Sequence, residues 1–388
     1  MGKPSTIYFT VTNSLSYDQR MQRICSSLAG AGFRIVLVGC KMHKSIPLTN
    51  QPFNQKRLQV WFQKGKLFYI EYHIRLFFFL LFKKMDAICA IDLDTIMPCF
   101  YISTIKGIPR VYDAHELFTG LKEVVSRPKI YTFWKWVERT FVPKFKDGYT
   151  VNNFIANELQ RRYGVEYIVL RNLPVMQAPL PNIPGSQTSN AEGTTMIDNY
   201  PLPLGKFFLY QGAVNEGRSF ETLIPAMQQV NGKLVIIGDG NFMAETKRLI
   251  AVCKVEEKVI CLGIVPPQQL RLLTPLAYYG LTLFESTGLN QYYSLANRFF
   301  DYIQAGIPQL CVAYPEYVAI NNQYKIAHLI SDLSPQSLSA TLNKLLVDDV
   351  EYNSLRYNCE KAAKELCWQN EEAPLIAFYH DKVLASKK

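Results

Sequence analysis

The stretch YYSLANRFFDYIQAGIP, residues 292–308, has the pattern of a helix that runs into a turn and then a buried strand. Its aromatic residues are interrupted by Asn297, Arg298 and Asp301. Ser294 is a preferred helix N-cap residue, so the pattern predicts a helix whose first turn holds the amides of Ser294, Leu295, Ala296 and Asn297.

Unpaired amides and the partial positive charge of a helix N-terminus suit a phosphate group, and Arg298 would add a formal charge beside them. Asp301 lies one turn beyond Asn297 on the same helix face. A carboxylate one turn past a phosphate can accept hydrogen bonds from a ribose. The spacing therefore predicts a nucleoside diphosphate site, and a solvated, capped helix face is the alternative.

Short apolar runs alternate with helical stretches on both sides of this segment. Strands are predicted at 7–12, 34–39, 58–63, 87–92, 110–115, 148–153, 207–212, 233–240, 258–263, 279–285 and 308–313. A helix is predicted over 17–32, with Ser16 and Gln19 as a capping box. Such alternation favours parallel sheets covered by helices on both faces, with ligands at the carboxyl ends of the strands.

A change of amino-acid composition divides the chain. Residues 173–205 are rich in Pro, Gly, Ser, Thr and Asn, as in a linker or long loop. We expect a Rossmann-like acceptor domain at 1–172, a Rossmann-like nucleotide-sugar domain at 206–366, and a cleft between them. A final helix over 367–388 is expected to cross back to the first domain, with Trp368 as its anchor.

Composition favours an ordinary globular protein and excludes a disordered or fibrous chain. The 388 residues are 48% hydrophobic, and the net charge of +10, with a pI near 9.0, favours anionic partners. The nine cysteines are odd in number and form no C-x-x-C pair, which predicts reduced thiols. No signal-peptide region and no run of about 18 apolar residues is evident, so we expect a cytoplasmic protein, at the inner face of a membrane on the hypothesis below.

Six motifs in a fixed order carry a family resemblance. They are VTNSLSYDQRMQRI (11–24), VYDAHELF (111–118), FLYQGAVNEGRSFETLIPAM (208–227), LVIIGDGNFMAETKRL (234–249), VICLGIVPPQQLRLL (259–273) and SLANRFFDYIQAGIPQLCV (294–312). Together they resemble the retaining glycosyltransferases of the GT-B fold, in particular a bacterial subset of family four (group 1). The likeness covers nearly the whole chain.

The resemblance implies transfer of a sugar from a nucleotide sugar, a UDP-sugar being the expected donor, to a glycan or lipid-linked acceptor with retention of configuration. It implies no other cofactor and no required metal. Catalytic roles fall on His115, which would approach the donor sugar, and on Arg218 and Arg298, which would meet the diphosphate. The implied donor-binding residues are Gly212, Arg218, Ile264, Val265, Ser294, Leu295, Asn297, Arg298 and Asp301.

Three departures from the family pattern keep other functions open, and one is Asn13-Ser14 in the first loop, where other members commonly have a pair of glycines. Tyr293 stands where the family usually has the first of two glutamates, and Ala213 stands where many members have a basic residue. The alternatives are a nucleotide-sugar epimerase of the same architecture and a non-catalytic GT-B scaffold protein.

Other polar groups have two interpretations each. His115 with Glu116 suits acid–base chemistry, although a single histidine after a strand is more often structural. The Asp-Leu-Asp run at 92–94 is interpreted as a loop at the cleft or as a helix N-cap at Asp94, in preference to a metal site. Asp18 and Arg20 either cap the first helix or contact a ligand.

Segment 56–84 predicts an interfacial helix. Basic residues surround the aromatic run 68–82, as in helices that lie on anionic lipid: Lys56, Arg57, Lys64, Lys66, Arg75, Lys83 and Lys84. A buried helix with a basic rim is the alternative. Nucleic-acid binding is not expected, because the aromatic residues are not interleaved with basic ones on an evident stacking surface.

Overall fold

The computed structural model of the protein describes residues 4–43, 45–176, 194–197, 199–286 and 288–384. The chain divides into two compact units, Met1–Asn172 with Trp368–Lys388, and Leu173–Cys367. The predicted linker 173–205 therefore falls in the second unit. Its residues 177–193 and 198 lie outside the described residues.

The first unit is built on a seven-stranded parallel sheet of order β3-β2-β1-β4-β5-β6-β7. Its strands are β1 (Thr6–Thr10), β2 (Arg34–Lys41), β3 (Asn54–Gln59), β4 (Ala87–Ile91), β5 (Arg110–Ala114), β6 (Asp147–Thr150) and β7 (Ile168–Val169). Its helices are α1 (Gln19–Gly30), α2 (Gly65–Leu81), α3 (Asp92–Lys106), α4 (Lys122–Val125), α5 (Pro128–Phe141) and α6 (Asn153–Tyr163). The strand order reverses between β1 and β4, which is where ligands bind in doubly wound sheets.

The second unit repeats this plan. A hairpin of β8 (Thr194–Ile197) and β9 (Tyr200–Pro203) precedes a six-stranded parallel sheet of order β12-β11-β10-β13-β14-β15. Its strands are β10 (Phe207–Gln211), β11 (Lys233–Ile237), β12 (Val259–Gly263), β13 (Tyr279–Thr282), β14 (Gln309–Val312) and β15 (Ala327–Ile330). Its helices are α7 (Phe220–Ala226), α8 (Met243–Val252), α9 (Pro267–Leu273), α10 (Leu289–Tyr292), α11 (Asn297–Gln304), α12 (Pro315–Tyr324), α13 (Pro335–Val347) and α14 (Asp349–Glu365).

The chain returns to the first unit in α15 (Trp368–Tyr379). Trp368 is buried among the side chains of α1, and its indole Nε1 donates a hydrogen bond to the Ser27 hydroxyl at 2.9 Å. The Tyr379 hydroxyl lies 3.2 Å from that of Tyr149 on β6. Helices α1 and α15 thus cover one face of the sheet, and α2, α3 and α5 cover the other.

The N-terminal cap of α1 and the start of β3 differ from the sequence prediction. Helix α1 is capped by Asp18, whose carboxylate accepts from the Met21 amide at 3.0 Å, and not by a box of Ser16 and Gln19. Strand β3 begins at Asn54, four residues before the predicted start, because this edge strand is largely polar and its sequence is typical of a loop. Among the described residues, no helix has the length and apolar character needed to cross a membrane.

Two glycines meet where β10 and β11 end in the second unit. Gly238 has φ of +144°, and a Cβ added to it would lie 1.9 Å from the Gly212 carbonyl oxygen. Its amide donates to the Gly263 carbonyl at 2.7 Å. Only glycine permits this approach, so the turn Gly-Asp-Gly at 238–240 fixes how closely the two strand ends pack.

We expect Gly238→Ala to lower the free energy of unfolding by at least about 3 kcal/mol, because backbone must move to admit the methyl group. Urea unfolding checks this. Gly30→Ala, at a helix end where an added Cβ meets no atom within 4 Å, is the control and should change stability by less than about 1 kcal/mol. Wild-type stability of the Gly238 variant would contradict the close approach.

Candidate functional site

Arg298, in the first turn of α11, is a buried cation with no carboxylate beside it. Its side chain is 7% exposed and forms no ion pair within the described residues. Nη1 donates to the Tyr210 hydroxyl at 3.1 Å, but Nε and Nη2 are buried without a hydrogen-bond partner in that part of the chain. A buried, incompletely bonded guanidinium is costly unless an anion joins it.

Two aromatic rings hold this guanidinium in place. Its central carbon lies 4.4 Å from the ring centroid of Tyr210, on β10, and 4.6 Å from that of Phe284, just after β13. Arg218, in the loop before α7, has its central carbon 4.4 Å from the same Phe284 ring. One ring lies on β10 and the other just after β13, at the point where the strand order reverses. Two cations therefore converge on one aromatic ring at the usual ligand position of the sheet.

Gly212 leaves backbone exposed next to Arg298. It follows β10 with φ of +120°, and an added Cβ would lie 3.4 Å from Arg298 Nη1. An anion could therefore approach backbone and guanidinium together, without a side chain between them.

Asp301 lies one turn further along α11 and is half-buried. Its Oδ2 accepts from Gln211 Nε2 at 3.2 Å, and Gln211 Oε1 in turn accepts from the Thr274 hydroxyl at 2.8 Å. Asn297, at the start of the helix, is exposed on the same face. The structure therefore brings Gly212, Arg298 and Asp301 to one edge of the sheet.

The predicted N-cap at Ser294 was wrong. Helix α11 begins at Asn297, and Ser294 closes the preceding short helix, with its hydroxyl donating to the Gln291 carbonyl at 2.9 Å. The Ala296 amide donates to the Tyr317 hydroxyl at 2.9 Å, and Leu295 packs against the core. The N-cap of α11 is Ala296, so the helix begins two residues later than the sequence indicated.

Ile264 and Val265 follow β12, two strands away from β10. The Ile264 side chain is 76% exposed, whereas Val265 is buried. Their strand end is joined to the others through Gly238, which donates to the Gly263 carbonyl and packs against Gly212. Their predicted role, backbone contact with a nucleotide base, stays a prediction.

In the first unit, His115 lies between two carboxylates. Its Nε2 is 3.0 Å from Asp113 Oδ2, and its Nδ1 is 3.4 Å from Asp92 Oδ2. The His115 amide donates to Asp92 Oδ1 at 2.8 Å. The far side of Asp113 is paired with buried Arg20, whose Nη2 lies at 3.0 Å, so Arg20 supports this cluster. Each ring nitrogen faces a carboxylate, an arrangement that favours the protonated imidazolium form.

Asp92 and Asp94 lie at the carboxyl end of β4, beside the reversal of strand order. Asp92 has φ of +52°, which is uncommon for a residue other than glycine and typical of functional sites. Asp94 accepts from the Thr12 hydroxyl at 2.5 Å, while its Oδ1 is buried without a hydrogen-bond partner in the described chain. Helix α3 begins at Asp92, so the N-cap predicted at Asp94 was wrong.

The charges of this cluster are strongly perturbed. Burial raises the pKa of Asp92 and that of Asp94 to about 7. Burial lowers the pKa of His115, but the negative charges of Asp113 and Asp92 outweigh it and raise that pKa to about 9. Burial would raise the pKa of Asp113, yet the charges of Arg20 and His115 leave it lowered. A cationic His115 beside carboxyls that titrate near neutrality is typical of acid–base sites.

Sequence reasoning missed three residues of these arrangements, Tyr210, Phe284 and Asp113, and it considered Asp92 only as part of a loop at the cleft. The two aspartates belong to the motifs Asp-Leu-Asp and Asp-Ala-His-Glu. Asp92 follows β4 and Asp113 lies on β5, and the pairing of these two strands, if predicted, would have placed the aspartates together. Nothing in the sequence places Tyr210 and Phe284 against Arg298. No group of His, Cys, Asp and Glu side chains suited to a metal ion is found within the described ranges.

No protein-family model and no curated protein sequence matches the chain. Solved structures match it over almost its full length. Sucrose-phosphate synthase from Thermosynechococcus elongatus has a TM-score of 0.76 at 14% identity, covering 99% of this chain and 100% of that one. WaaG, a glycosyltransferase involved in lipopolysaccharide biosynthesis, has a TM-score of 0.70 at 16% identity, covering 96% and 99%. HepE of Anabaena in complex with UDP-glucose has a TM-score of 0.70 at 11% identity, covering 98% and 100%.

The chain has the GT-B fold. The prediction of two Rossmann-like α/β domains with a returning C-terminal helix is therefore confirmed. At identities this low, the likeness establishes the fold, and the activity depends on the residues of the site.

The raised pKa of His115 makes stability depend on pH. The stabilisation from its proton is complete below pH 6.5, its usual pKa, and is lost as the pH rises through about 9. We expect wild type to lose on the order of 2 kcal/mol between these limits that His115→Gln does not lose. Urea unfolding at pH 6.5 and 9.5 measures it, with His43→Gln, an exposed histidine, as the control. Equal alkaline losses in wild type and His115→Gln would contradict the ion pairs.

Proposed function

We propose that this protein is a glycosyltransferase that transfers a sugar from a nucleotide-sugar donor to a glycan or lipid-linked acceptor with retention of anomeric configuration. The observation that supports it most directly is the buried Arg298 guanidinium, which lacks a carboxylate and lies beside Gly212 and over two aromatic rings. A diphosphate supplies the charge and the acceptor oxygens that this guanidinium needs.

The chemistry of sugar transfer explains why a cation would be fixed there. Cleavage of the bond between sugar and phosphate places negative charge on the departing diphosphate. Arg298, held by Tyr210 and Phe284, and Arg218, near the same ring, would stabilise that charge as it develops. Since the rings fix these guanidinium groups beforehand, little reorganisation would be needed during the reaction.

The remaining contacts with the donor follow if its diphosphate lies at Arg298. Asp301, half-buried and oriented by Gln211, would bind the ribose, and the first-turn amides of α11 would meet phosphate. Backbone at Ile264 and Val265 would meet the base. A UDP-sugar is the proposed donor, because HepE is a structural neighbour in complex with UDP, with UDP and glucose, and with UDP-glucose. The role of His115 toward the donor sugar stays a prediction.

We assign the first unit to the acceptor and propose that the protein works in the cytoplasm at the inner face of a membrane. A lipid-linked acceptor would be presented there. Segment 56–84 supplies part of the surface for this contact, although Arg57 is not free for it. Its guanidinium donates to the Ser14 and Ile46 carbonyls and to the Ser16 hydroxyl.

A nucleotide-sugar epimerase is the second candidate, because such an enzyme needs acid and base groups in its site. Asp92 and Asp94, whose pKa values are raised to about 7, have the required chemistry. Incubation of a UDP-sugar without acceptor separates the two candidates. The transferase should give at most slow hydrolysis, whereas NMR detection of an epimerised sugar would establish the alternative.

Nucleotide binding can be tested by thermal shift with UDP, GDP, ADP, CMP and dTDP. We expect UDP to raise the melting temperature of wild type, since a ligand that binds only the folded state stabilises it. The shift should be abolished in Arg298→Met and reduced in Asp301→Ala. Without ligand, Arg298→Met should be as stable as wild type or more stable by about 1 kcal/mol, because it removes a buried unpaired charge.

Arg248→Met is the matched control, since Arg248 is an exposed arginine of the second unit that pairs with Glu245 on its own helix. It should keep the full shift with UDP. If no nucleotide stabilises wild type, or if Arg298→Met shifts as much as wild type, the proposed donor site is wrong and the scaffold function gains support.

A further inference from the structure

Helix α2 has two opposite apolar stripes. One is buried against the sheet and consists of Phe68, Tyr72, Leu76 and Leu80. The other runs along the outer side, offset by two residues, and consists of Ile70, Ile74, Phe78 and Phe82, which are 55%, 53%, 56% and 79% exposed. A helix with apolar residues on opposite sides ordinarily has protein or lipid against both of them. Here the described protein encloses only one side.

The outer surfaces of α3 and α5 continue this stripe. Tyr101 and Ile105 on α3 are 50% and 60% exposed, and Phe133 and Trp136 on α5 are 45% and 53% exposed. Ring contacts join the helices. Tyr69 of α2 lies 5.2 Å from Trp134 of α5.

Phe141, at the end of α5, connects α5 to α3. Its ring is 6.0 Å from that of Tyr101 and 6.1 Å from that of Trp136. The three helices cover the same face of the sheet, so their outer side chains form one surface, here called the aromatic face. An exposed apolar surface spread over three helices is larger than the scattered residues of an ordinary monomer and marks an interaction site.

The charges around the aromatic face are positive. Basic side chains lie along these helices and just beyond their ends: Lys66, Lys83, Lys84, Lys106, Lys129, Arg139, Lys144 and Lys146. The acidic groups of α2 and α5 are occupied. Glu71 accepts from the Trp61 and Phe62 amides and from Arg75, and buried Glu138 binds Thr119 and Lys135. Asp92 and Asp94 lie at the other end of α3 from Ile105, about 20 Å away along the helix.

We infer that the aromatic face docks this protein on a bilayer that contains anionic phospholipid. Half-exposed aromatic and aliphatic side chains would enter the boundary between headgroups and acyl chains, and the lysines would meet the headgroup phosphates. A second copy of the chain fits poorly, since it would bring two positive surfaces together. The surface itself supports the docking, whereas its link to a lipid-linked acceptor rests on the proposed function.

This inference differs from a single interfacial helix at 56–84. Helix α5 contributes the only exposed tryptophan within the three helices as the structure describes them, and α3 connects it to α2. Arg57 of β3 takes no part, because its guanidinium is bonded to loops of the first unit.

Flotation with vesicles tests the docking. We expect the protein to float with vesicles of 70% phosphatidylcholine and 30% phosphatidylglycerol, as an approximate composition, and much less with phosphatidylcholine alone. Binding should weaken as salt is raised from about 0.05 M to 0.5 M. Lys83→Gln with Lys84→Gln should lower the partition coefficient about 25-fold, at about fivefold for each charge.

Phe78→Ser with Trp136→Ser should lower it at least about tenfold, because both side chains would leave the lipid boundary. These side chains are only half-buried, so the variant should stay folded, with a melting temperature lowered by no more than a few degrees. The control is Val350→Ser with Tyr357→Ser, two exposed apolar residues of the second unit that are 83% and 57% exposed, and it should bind vesicles like wild type.

Fluorescence gives a second, site-specific measurement. Of the four tryptophans, Trp134 and Trp368 are buried, while Trp61 and Trp136 are exposed. Brominated lipid should quench wild-type emission on binding, and Trp136→Phe should remove a large part of that quenching. UDP binding, measured by thermal shift without vesicles, should be unchanged in every aromatic-face variant, so the two proposals can fail separately.

Two results would overturn the inference. One is the absence of flotation at low salt by wild type that is folded and monomeric. The other is concentration-dependent self-association of wild type in analytical ultracentrifugation that is lost in the Phe78 and Trp136 double variant, which would make the aromatic face an interface between copies of the chain.

Discussion

The uncompensated charge of Arg298 is the constraint around which the ligand edge of the second unit is arranged. A guanidinium can remain buried without a carboxylate only if something else holds it, and here two rings and one tyrosine hydroxyl do so. Those rings come from β10 and β13, so the strand order brings them together. Gly212 has no side chain, so only backbone lies on the remaining side of the guanidinium. The sheet thus stabilises a cation and leaves its hydrogen-bonding groups for an anion.

In the first unit, by contrast, the buried charges are paired with one another. Arg20, Asp113, His115 and Asp92 form a continuous series in which each charge faces one of opposite sign. Such a series largely neutralises itself, so it holds geometry more than it attracts an ion. The left-handed backbone of Asp92 is the exception, because strain of that kind persists only where neighbouring contacts impose it. Its carboxylate receives both the amide and the ring of His115, which are those contacts.

The sequence predicted what depends on periodicity and failed where partners are distant. The two parallel sheets and most of their buried strands follow from apolar runs, and the structure agrees, but the short strands β7 and β15 were not predicted. Strand β3 was misplaced because an edge strand can be polar. The start of α11 was misplaced because Ser294 bonds backward to Gln291, and no local rule shows that α10 comes first. Tyr210 and Phe284 could not be predicted, since their contacts with Arg298 span β10, β13 and α11.

Helix α2 shows why composition alone could not decide between a core helix and an interfacial one. Its sequence has apolar residues on two opposite sides, and both interpretations predict such a sequence. The structure separates the two stripes, since the sheet can cover only the one that faces it. In a monomer, the outer stripe would leave apolar surface in water with no gain in folding free energy. Helices α3 and α5 also expose apolar side chains to water, and basic residues lie around them. One partner that is both anionic and partly apolar therefore accounts for the exposed surfaces of the three helices more simply than three separate causes.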